Sequence, residues 1–427
     1  MKIFQTNAYL KHVFTLMAGT VIGQGLVFLL SPFVFRLYTP EDFTALEQFL
    51  MLVTVLSVLV TGKYEFAIMH PRDDETARHI LGLSLLIALV MSAFFGVISI
   101  VFSSSIASAM GSPSLKLMLW SLGPVLFFTA VANALNYWFS RKKNYKVAAT
   151  AKVISAVGAE PVKIGVGLLN WGVFGLTWSN LIGNLFAAIF SLGKFLKDEV
   201  KGLSGLDRNE LKQQAKNHRD YPLFSIWGSV LNRIAQWAHV GIFVIYYGPV
   251  GVAMMALCRR IVQAPLNVIS NSYSQVFFQR ISEIEDAVEL KKLYYKVLFR
   301  FLTFGFILVL LIWLIPQNTM GFVFGEQWNE SLIYLQWLSG WFALNFVSSS
   351  IAFITYRIQM QRLGTLLDAL HFILAVAAIY VAHSLGLNQI EALKFFALSK
   401  VIYFALNLVV ISWRVEKYVV QNKLHES

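Results

Sequence analysis

Apolar residues in this chain come in blocks of about twenty, separated by short polar stretches. A helix rises ~1.5 Å per residue, so ~20 apolar residues match the hydrocarbon thickness of a bilayer. Twelve blocks are readable, at residues 13–35, 43–62, 79–102, 115–139, 150–169, 171–193, 222–246, 251–277, 297–316, 331–354, 365–385 and 391–413. Pro32, Pro124, Pro161 and Pro265 interrupt some of them. A membrane bundle tolerates such breaks when neighbours satisfy the freed carbonyl. The pattern predicts an all-α, polytopic membrane protein of about twelve spans.

The totals narrow the function. Of 427 residues, 57% are hydrophobic and 14% charged, which leaves too little polar surface for a soluble fold. The first apolar run is too long for a cleaved leader and is expected to continue into the fold. Cys258 is the one cysteine, so no disulfide within the chain and no cysteine metal site is expected. The eight histidines show no metal-ligand spacing. No Gly-x4-Gly-Lys-Ser/Thr or Gly-x-Gly-x2-Gly segment occurs, so an ATP-driven pump is not indicated. A net charge of +12 would suggest nucleic acid in a soluble chain, but here its distribution over the loops matters more.

Lys and Arg alternate between loops. The loops after spans 2, 4, 6, 8 and 10, with both ends of the chain, hold 26 cations, from Lys2 and Lys11 to Lys423. The alternate side holds 3, namely Arg36, Lys116 and Lys394. The positive-inside rule then predicts an even number of spans and cytoplasmic N- and C-termini. The longest connection, 194–221, is charged and amphipathic, and divides the chain into an N-terminal lobe at 1–193 and a C-terminal lobe at 222–427. A repeat agrees with this division: Tyr38 and Pro40 precede span 2 as Tyr247 and Pro249 precede span 8, and Arg141 and Arg357 follow spans 4 and 10. Matched halves of six helices suit a secondary transporter.

A charge at mid-bilayer costs at least ~2.5–3.5 kcal/mol, so it marks a wet cavity or a partner. Six cations are counted with the spans rather than with the loops at their ends: Lys163, Arg233, Arg259, Arg260, Arg300 and Lys400. Arg300, one turn in, is expected to snorkel. Lys163 follows Glu160 by three residues, which permits an ion pair. Arg233 and Arg260 lie near the midplane by count. Each shares a face with a polar stripe: Ser225, Ser229, Asn232, Arg233 and Gln236 in span 7, and Arg260, Gln263, Asn267, Asn271 and Ser274 in span 8. Asn133/Asn136 and Asn180/Asn184 are smaller polar pairs, which interhelical hydrogen bonding explains. Adjacent residues point ~100° apart, so Arg260 rather than Arg259 is expected to face the lumen. Glu47, Glu65, Glu160 and Asp368 are the acidic residues in or near spans. A net positive lumen suits an anionic, phosphate-bearing solute, which Arg recognises by its bidentate fork.

Several segments resemble the Wzx-type O-antigen and polysaccharide flippases of the MATE-like multidrug/oligosaccharidyl-lipid/polysaccharide exporter superfamily. Arg36-Leu37-Tyr38-Thr39-Pro40-Glu41-Asp42-Phe43 is similar to that family's Arg-Leu-Tyr-x-Pro-Glu-x-Phe-Gly turn, with Thr44 in place of Gly. Thr61-Gly62-Lys63-Tyr64-Glu65-Phe66-Ala67-Ile68 resembles its Gly-Arg/Lys-Tyr-Glu-x-Ala-Ile segment. Arg260 through Phe277, and Phe324-Gly325-Glu326-Gln327-Trp328, are weaker matches. The resemblance implies transfer of a polyprenyl-diphosphate-linked oligosaccharide from the cytoplasmic to the periplasmic leaflet of a bacterial inner membrane. Alternating access of two lobes, driven by H+ or Na+, would accomplish it without cofactor or catalytic residue. Other polysaccharide-assembly membrane proteins are candidate partners, and nucleic acid is not.

Arg36, Lys63, Tyr64, Glu65 and Arg260 fall on the family motifs. The expected substrate contacts are Arg233, Arg260, Arg259, Lys163, Lys63, Arg36, Asn267, Asn271, Asn232 and Gln236. Glu65, Glu160 and Asp368 are the expected gating or ion-coupling residues. Tyr38 and Pro40 are expected to stabilise a turn, and Lys63 with Glu65 to clamp a cytoplasmic gate. A drug antiporter on the same fold should carry unpaired carboxylates in its cavity, where cations dominate here. A membrane glycosyltransferase, polymerase or ligase should carry a sizeable outer loop, which this chain lacks.

Overall fold

The computed structural model describes residues 21, 23–199, 205–358 and 360–426. The start of the first predicted span, together with Lys2, Lys11 and Lys201, lies outside the described residues. Each predicted span has a helical counterpart. In the first half these are α1 (Gly23–Leu37), α2 (Pro40–Val60), the short α3 (Tyr64–Ala67), α4 (Asp74–Val101) and the short α5 (Ser103–Ala109). Two 3-10 turns at Pro113–Leu117 and Leu119–Ser121 lead into α6 (Leu122–Arg141). There follow α7 (Tyr145–Leu168), α8 (Val173–Asp198) and the linker helix α9 (Arg208–Asn217).

A π-helical turn at Tyr221–Ser225 opens α10 (Ile226–Tyr247). α11 (Val250–Cys258) continues through a second π turn at Arg259–Gln263 into α12 (Ala264–Glu283). Then come α13 (Ala287–Trp313), α14 (Thr319–Phe324), α15 (Ser331–Ser350), α16 (Ile354–Arg357), α17 (Gln361–Ser384) and α18 (Gln389–Glu426). α18 runs more than three turns past the predicted end of span 12 at 413.

Among the described residues, eight helices are long and apolar enough to cross a membrane on those criteria alone. The helices of predicted spans 5, 7 and 10 are not among them, because polar residues interrupt their apolar runs. These are Lys152, Glu160 and Lys163 in α7, Asn232, Arg233 and Gln236 in α10, and Gln336 and Asn345 in α15. The residues that lower their apolarity are largely those singled out above for function.

Packing divides the chain into two units, the first extending to Val244 and the second beginning at Ile245. This division falls inside α10, downstream of the 194–221 connection. In the first unit, α4, α6 and α8 enclose a core at their Lys/Arg-rich ends, built from Ile80, Leu81, Leu135, Trp138 and Phe195. Trp138 meets Phe195 edge-on at 5.4 Å. The same three helices line an apolar groove of about 460 Å³, which Leu206 and Leu211 of the linker close at one end. Asp207 caps α9 by accepting from the Glu210 backbone N–H. In the second unit α15 is the central helix, packed by α11, α12, α13 and α18. Its buried residues Leu335, Leu338, Phe342 and Phe346 supply much of the core.

The repeat recurs as a structural device. Arg141, at the end of α6, donates from Nη1 to the Ile68 carbonyl at 3.3 Å. Arg357, in the short helix that follows α15, donates from Nη2 to the Ile284 carbonyl at 3.2 Å. Each arginine reaches back 73 residues. In the first unit the Tyr38 hydroxyl donates to the Lys163 carbonyl of α7. In the second, Tyr246 stacks on His383 of α17 at 4.1 Å and Tyr247 meets the same ring edge-on. The turn before the second helix of each half is thus pinned to the fifth.

Candidate functional site

The polar stripe of α10 lies on an open stretch of that helix. Pro222 has no N–H to give the helical ladder, and the chain widens into the Tyr221–Ser225 π turn around it. From Trp227 to Gln236 no residue is buried. Asn232, Arg233 and Gln236 are exposed, as are the apolar Trp227, Leu231 and Ile234. Ser229 donates to the Ser225 carbonyl at 3.1 Å, and Gln236 Nε2 donates to Asn232 Oδ1 at 2.8 Å. These bonds align a row of polar groups beside the Arg233 guanidinium. In a bilayer, the apolar side chains of these turns suit hydrocarbon and the polar row suits water.

Lys63 shares the electrostatic environment of Arg233. The chain leaves α2 through Gly62 and Lys63, both in the left-handed region with φ of 61° and 63°. For Lys63, which has a Cβ, that conformation costs on the order of 1 kcal/mol. The Lys63 ammonium lies 4.5 Å from the centroid of the Phe66 ring. Burial holds it below the ordinary lysine range; the Glu65 carboxylate opposes that shift and the Arg233 charge adds to it. Glu65 is buried, and burial raises its carboxyl above the ordinary range against the Thr61 hydroxyl and Lys63. Tyr64 of the same segment donates to the Ala215 carbonyl of α9 at 3.0 Å, tying this turn to the linker.

Glu160 and Lys163 form a buried pair on α7, with Lys163 Nζ 2.7 Å from Glu160 Oε1. The adjoining turn is built around Tyr38. Thr39 and Asp42 form a reciprocal capping box at the start of α2, with Pro40 in the first turn. The Tyr38 hydroxyl occupies the space where a Cβ on Gly175 of α8 would stand. Tyr38 is therefore a packing wedge between α7 and α8, while Arg36 is exposed two residues before it. The motif Arg-Leu-Tyr-x-Pro thus has a structural role in its Tyr and Pro, and leaves its Arg at the surface.

A second cation-rich knot holds the loop between α3 and α4. The Arg141 guanidinium donates to the carbonyls of Ile68, Pro71, Arg72 and Asp73 and to the Asp74 carboxylate. Lys142 pairs with Asp74 at 2.6 Å and Glu199 at 3.0 Å. These cations serve loop structure.

In the second unit the Arg259–Arg260 pair lies on the π turn that precedes Pro265. Proline at 265 cannot supply the N–H expected by the carbonyl four residues earlier, and a widened turn relieves the clash. Both arginines are half-buried, and the charge of Arg259 acts on Lys400 of α18. Gln263 and Asn267 are half-buried, Asn271 is exposed, and buried Ser274 donates to the Asn271 carbonyl at 3.0 Å. Asp368, exposed on α17, accepts from Tyr403 of α18. His371, beside it on α17, was not indicated by any motif, yet it contacts Lys400 directly. The available signal was polar spacing by three on two neighbouring apolar helices, Asp368/His371 and Lys400/Tyr403.

A family model described as polysaccharide biosynthesis protein matches residues 33–333. A search of the curated proteins returns no match. Among solved structures, the lipid II flippase MurJ in an inward closed conformation superposes with a TM-score of 0.70 at 12% identity, covering 97% of this chain and 91% of that one. A MOP superfamily transporter from Pyrococcus furiosus, whose binding pocket is described as reversed in polarity, gives a TM-score of 0.62 at 14% identity over 96% of each chain. An outward-facing multidrug resistance MATE family transporter gives 0.55 at 14% identity over 96% of each. Likeness at these identities is a likeness of fold, and it agrees with a polytopic all-α membrane protein.

Proposed function

The chain belongs to the polysaccharide biosynthesis protein family, and from that premise we propose that it is a flippase for a polyprenyl-diphosphate-linked oligosaccharide, an O-antigen or related polysaccharide repeat unit. The substrate crosses from the cytoplasmic to the periplasmic leaflet of a bacterial inner membrane by alternating access, driven by an ion gradient. Both chain termini are cytoplasmic in this reading, which follows the Lys/Arg bias of the loops.

The observation that carries the proposal is the open polar face of α10, with Arg233 exposed on it and its charge felt at Lys63. Two cations in one region favour a dianionic head group, and the guanidinium fork suits diphosphate oxygens. Asn232, Gln236, Ser229 and Ser225 offer the donors and acceptors that sugar hydroxyls need. In the second unit, Arg260, Gln263, Asn267 and Asn271 present the same combination. The isoprenoid tail stays in lipid, where its transfer to water would cost ~0.8 kcal/mol per CH₂. A lipid II flippase has the same fold, so a lipid-linked cargo is compatible with it. Arg233 on the α10 face and Lys63 near it favour this cargo over the cationic drugs of a multidrug antiporter. Other polysaccharide-assembly membrane proteins are proposed partners.

Deleting the gene and following the lipid-linked intermediates tests the proposal. Complete polyprenyl-diphosphate oligosaccharide should accumulate on the cytoplasmic side, out of reach of an impermeant reagent. An unchanged pool, or one fully accessible from outside, would count against the proposal.

A further inference from the structure

Lys400 lies near the middle of predicted span 12 and is 3% exposed. Its Nζ is 2.8 Å from His371 Nε2 on α17. The His371 ring stacks on Tyr403, with centroids 4.1 Å apart and planes within 11°. The Tyr403 hydroxyl in turn donates to Asp368 Oδ1 at 3.5 Å. Trp341 of α15 and Phe396 of α18 flank the ammonium, with ring centroids at 5.4 and 5.1 Å.

Titratable and charged groups reach this pair from α17, α18 and the π turn. α17 contributes Asp368 and His371, α18 contributes Tyr403, and the π turn contributes Arg259, whose charge acts on Lys400. α15 presents Trp341. From α13, Tyr294, Lys291 and Tyr295 reach α18 only at Ser412 and Glu416, at least three turns further along.

A nitrogen-to-nitrogen contact of 2.8 Å is a hydrogen bond, so one nitrogen donates and the other keeps a lone pair. With Lys400 as an ammonium, Nζ donates and the His371 lone pair accepts. A second proton, on His371, would set two like charges against each other in a buried site, so the pair holds one exchangeable proton, on Lys400. An ionisable group at this depth is expensive, and such residues mark ion or proton paths by default. The enclosure by rings leaves no room for an oligosaccharide, whereas a proton needs only a hydrogen-bonded acceptor.

We propose that Lys400 and His371 form a proton-carrying site that couples a proton gradient to transport, a proposal that rests on the flippase reading. On loading, one proton from the acidic side adds to the neutral Lys400 amine, and the ammonium so formed donates to the His371 Nε2 lone pair, holding α18 against α17 at this level. On release to the other side, the proton leaves Nζ and that charge-assisted bond is lost. No other bond changes, and the exposed Asp368 carboxylate offsets part of the charge.

The test uses the full chain reconstituted in vesicles with a polyprenyl-diphosphate-linked oligosaccharide as probe. Its transfer between leaflets is followed with and without an imposed pH gradient. Lys400→Met is the decisive variant, since it fills similar space but takes up no proton. Lys400→Arg, which keeps its charge at every working pH, is the companion, and thermal melting confirms that both fold. The rate with the gradient, divided by the rate without it, should be about tenfold in wild type and close to one in both variants. A ratio near one in wild type, or a wild-type ratio in Lys400→Met, overturns the coupling site while leaving the flippase reading intact. A sodium gradient that accelerates wild type in place of the pH gradient also overturns it. Vesicles that move no probe under any condition overturn the flippase reading and the coupling site together.

Discussion

Truncating Glu160 would take from the buried Lys163 ammonium its 2.7 Å ion-pair partner. Losing one member of a buried pair typically costs ~3–5 kcal/mol, more than the pair itself contributes. Glu160→Ala should therefore lower the melting temperature in detergent sharply. The double variant Glu160→Leu, Lys163→Met should recover most of the loss, because it removes both desolvation costs at once. Glu65 behaves differently. Burial raises its carboxyl despite Thr61 and Lys63, so the folded chain holds that proton more tightly than the unfolded chain does. Ionisation then subtracts stability as pH rises through the unfolded and into the folded value, and no penalty exists below the ordinary carboxylate range. Glu65→Gln should melt above wild type at about pH 7.5, with the difference closing towards about pH 4. A difference that grows on acidification would contradict this account of the site.

At the scale of the helices, α7 and α8 pack through a residue with no side chain. A Cβ on Gly183 would stand 2.7 Å from the Ser155 carbonyl oxygen, whereas Gly193, about three turns on in the same helix, has open space around it. Gly183→Ala should destabilise by ~1–3 kcal/mol through overpacking. Gly193→Ala should be neutral or stabilise by up to ~1 kcal/mol. Melting curves of the two variants separate packing from helix propensity. Arg141→Lys should also lower the melting temperature, because an ammonium cannot reproduce a fork reaching four carbonyls and a carboxylate.

The helices themselves were legible in the sequence because lipid demands long apolar runs, and the α10 stripe was legible because Asn232, Arg233 and Gln236, at steps of three and four, are exposed together. In the second stripe Arg260 and Gln263 lie on the π turn and Ser274 is buried, which spacing alone did not show. What Pro222 and Pro265 do locally was not legible, since a proline signals an interruption without saying that a π turn will absorb it. Nor was the Lys400–His371 contact, which joins residues 29 apart through a packing that no periodicity records. The Glu160–Lys163 pair, local to one helix, was readable; the wedge of Tyr38 between α7 and α8 was not, because it depends on an absent Cβ at Gly175.

For the molecule as a whole, two halves use one set of joints: an arginine clamp across 73 residues and an aromatic turn fixed to the fifth helix. The polar, cation-bearing stripes of α10 and α12 both belong to the C-terminal half of the repeat, with Arg233 in the first packing unit and Arg260 in the second. Their proposed cargo is a lipid whose head is anionic and whose tail never leaves the bilayer. Transfer of a polyprenyl-diphosphate-linked oligosaccharide in vesicles containing wild type, Arg233→Ala or Arg260→Ala measures that proposal most directly. Charge-assisted hydrogen bonds of ~1.5–3 kcal/mol correspond to ~10–100-fold in rate. Wild type should exceed protein-free vesicles, and each variant should fall by about that factor while folding normally. Transfer by wild type no faster than in protein-free vesicles, or unchanged in both variants, would contradict it.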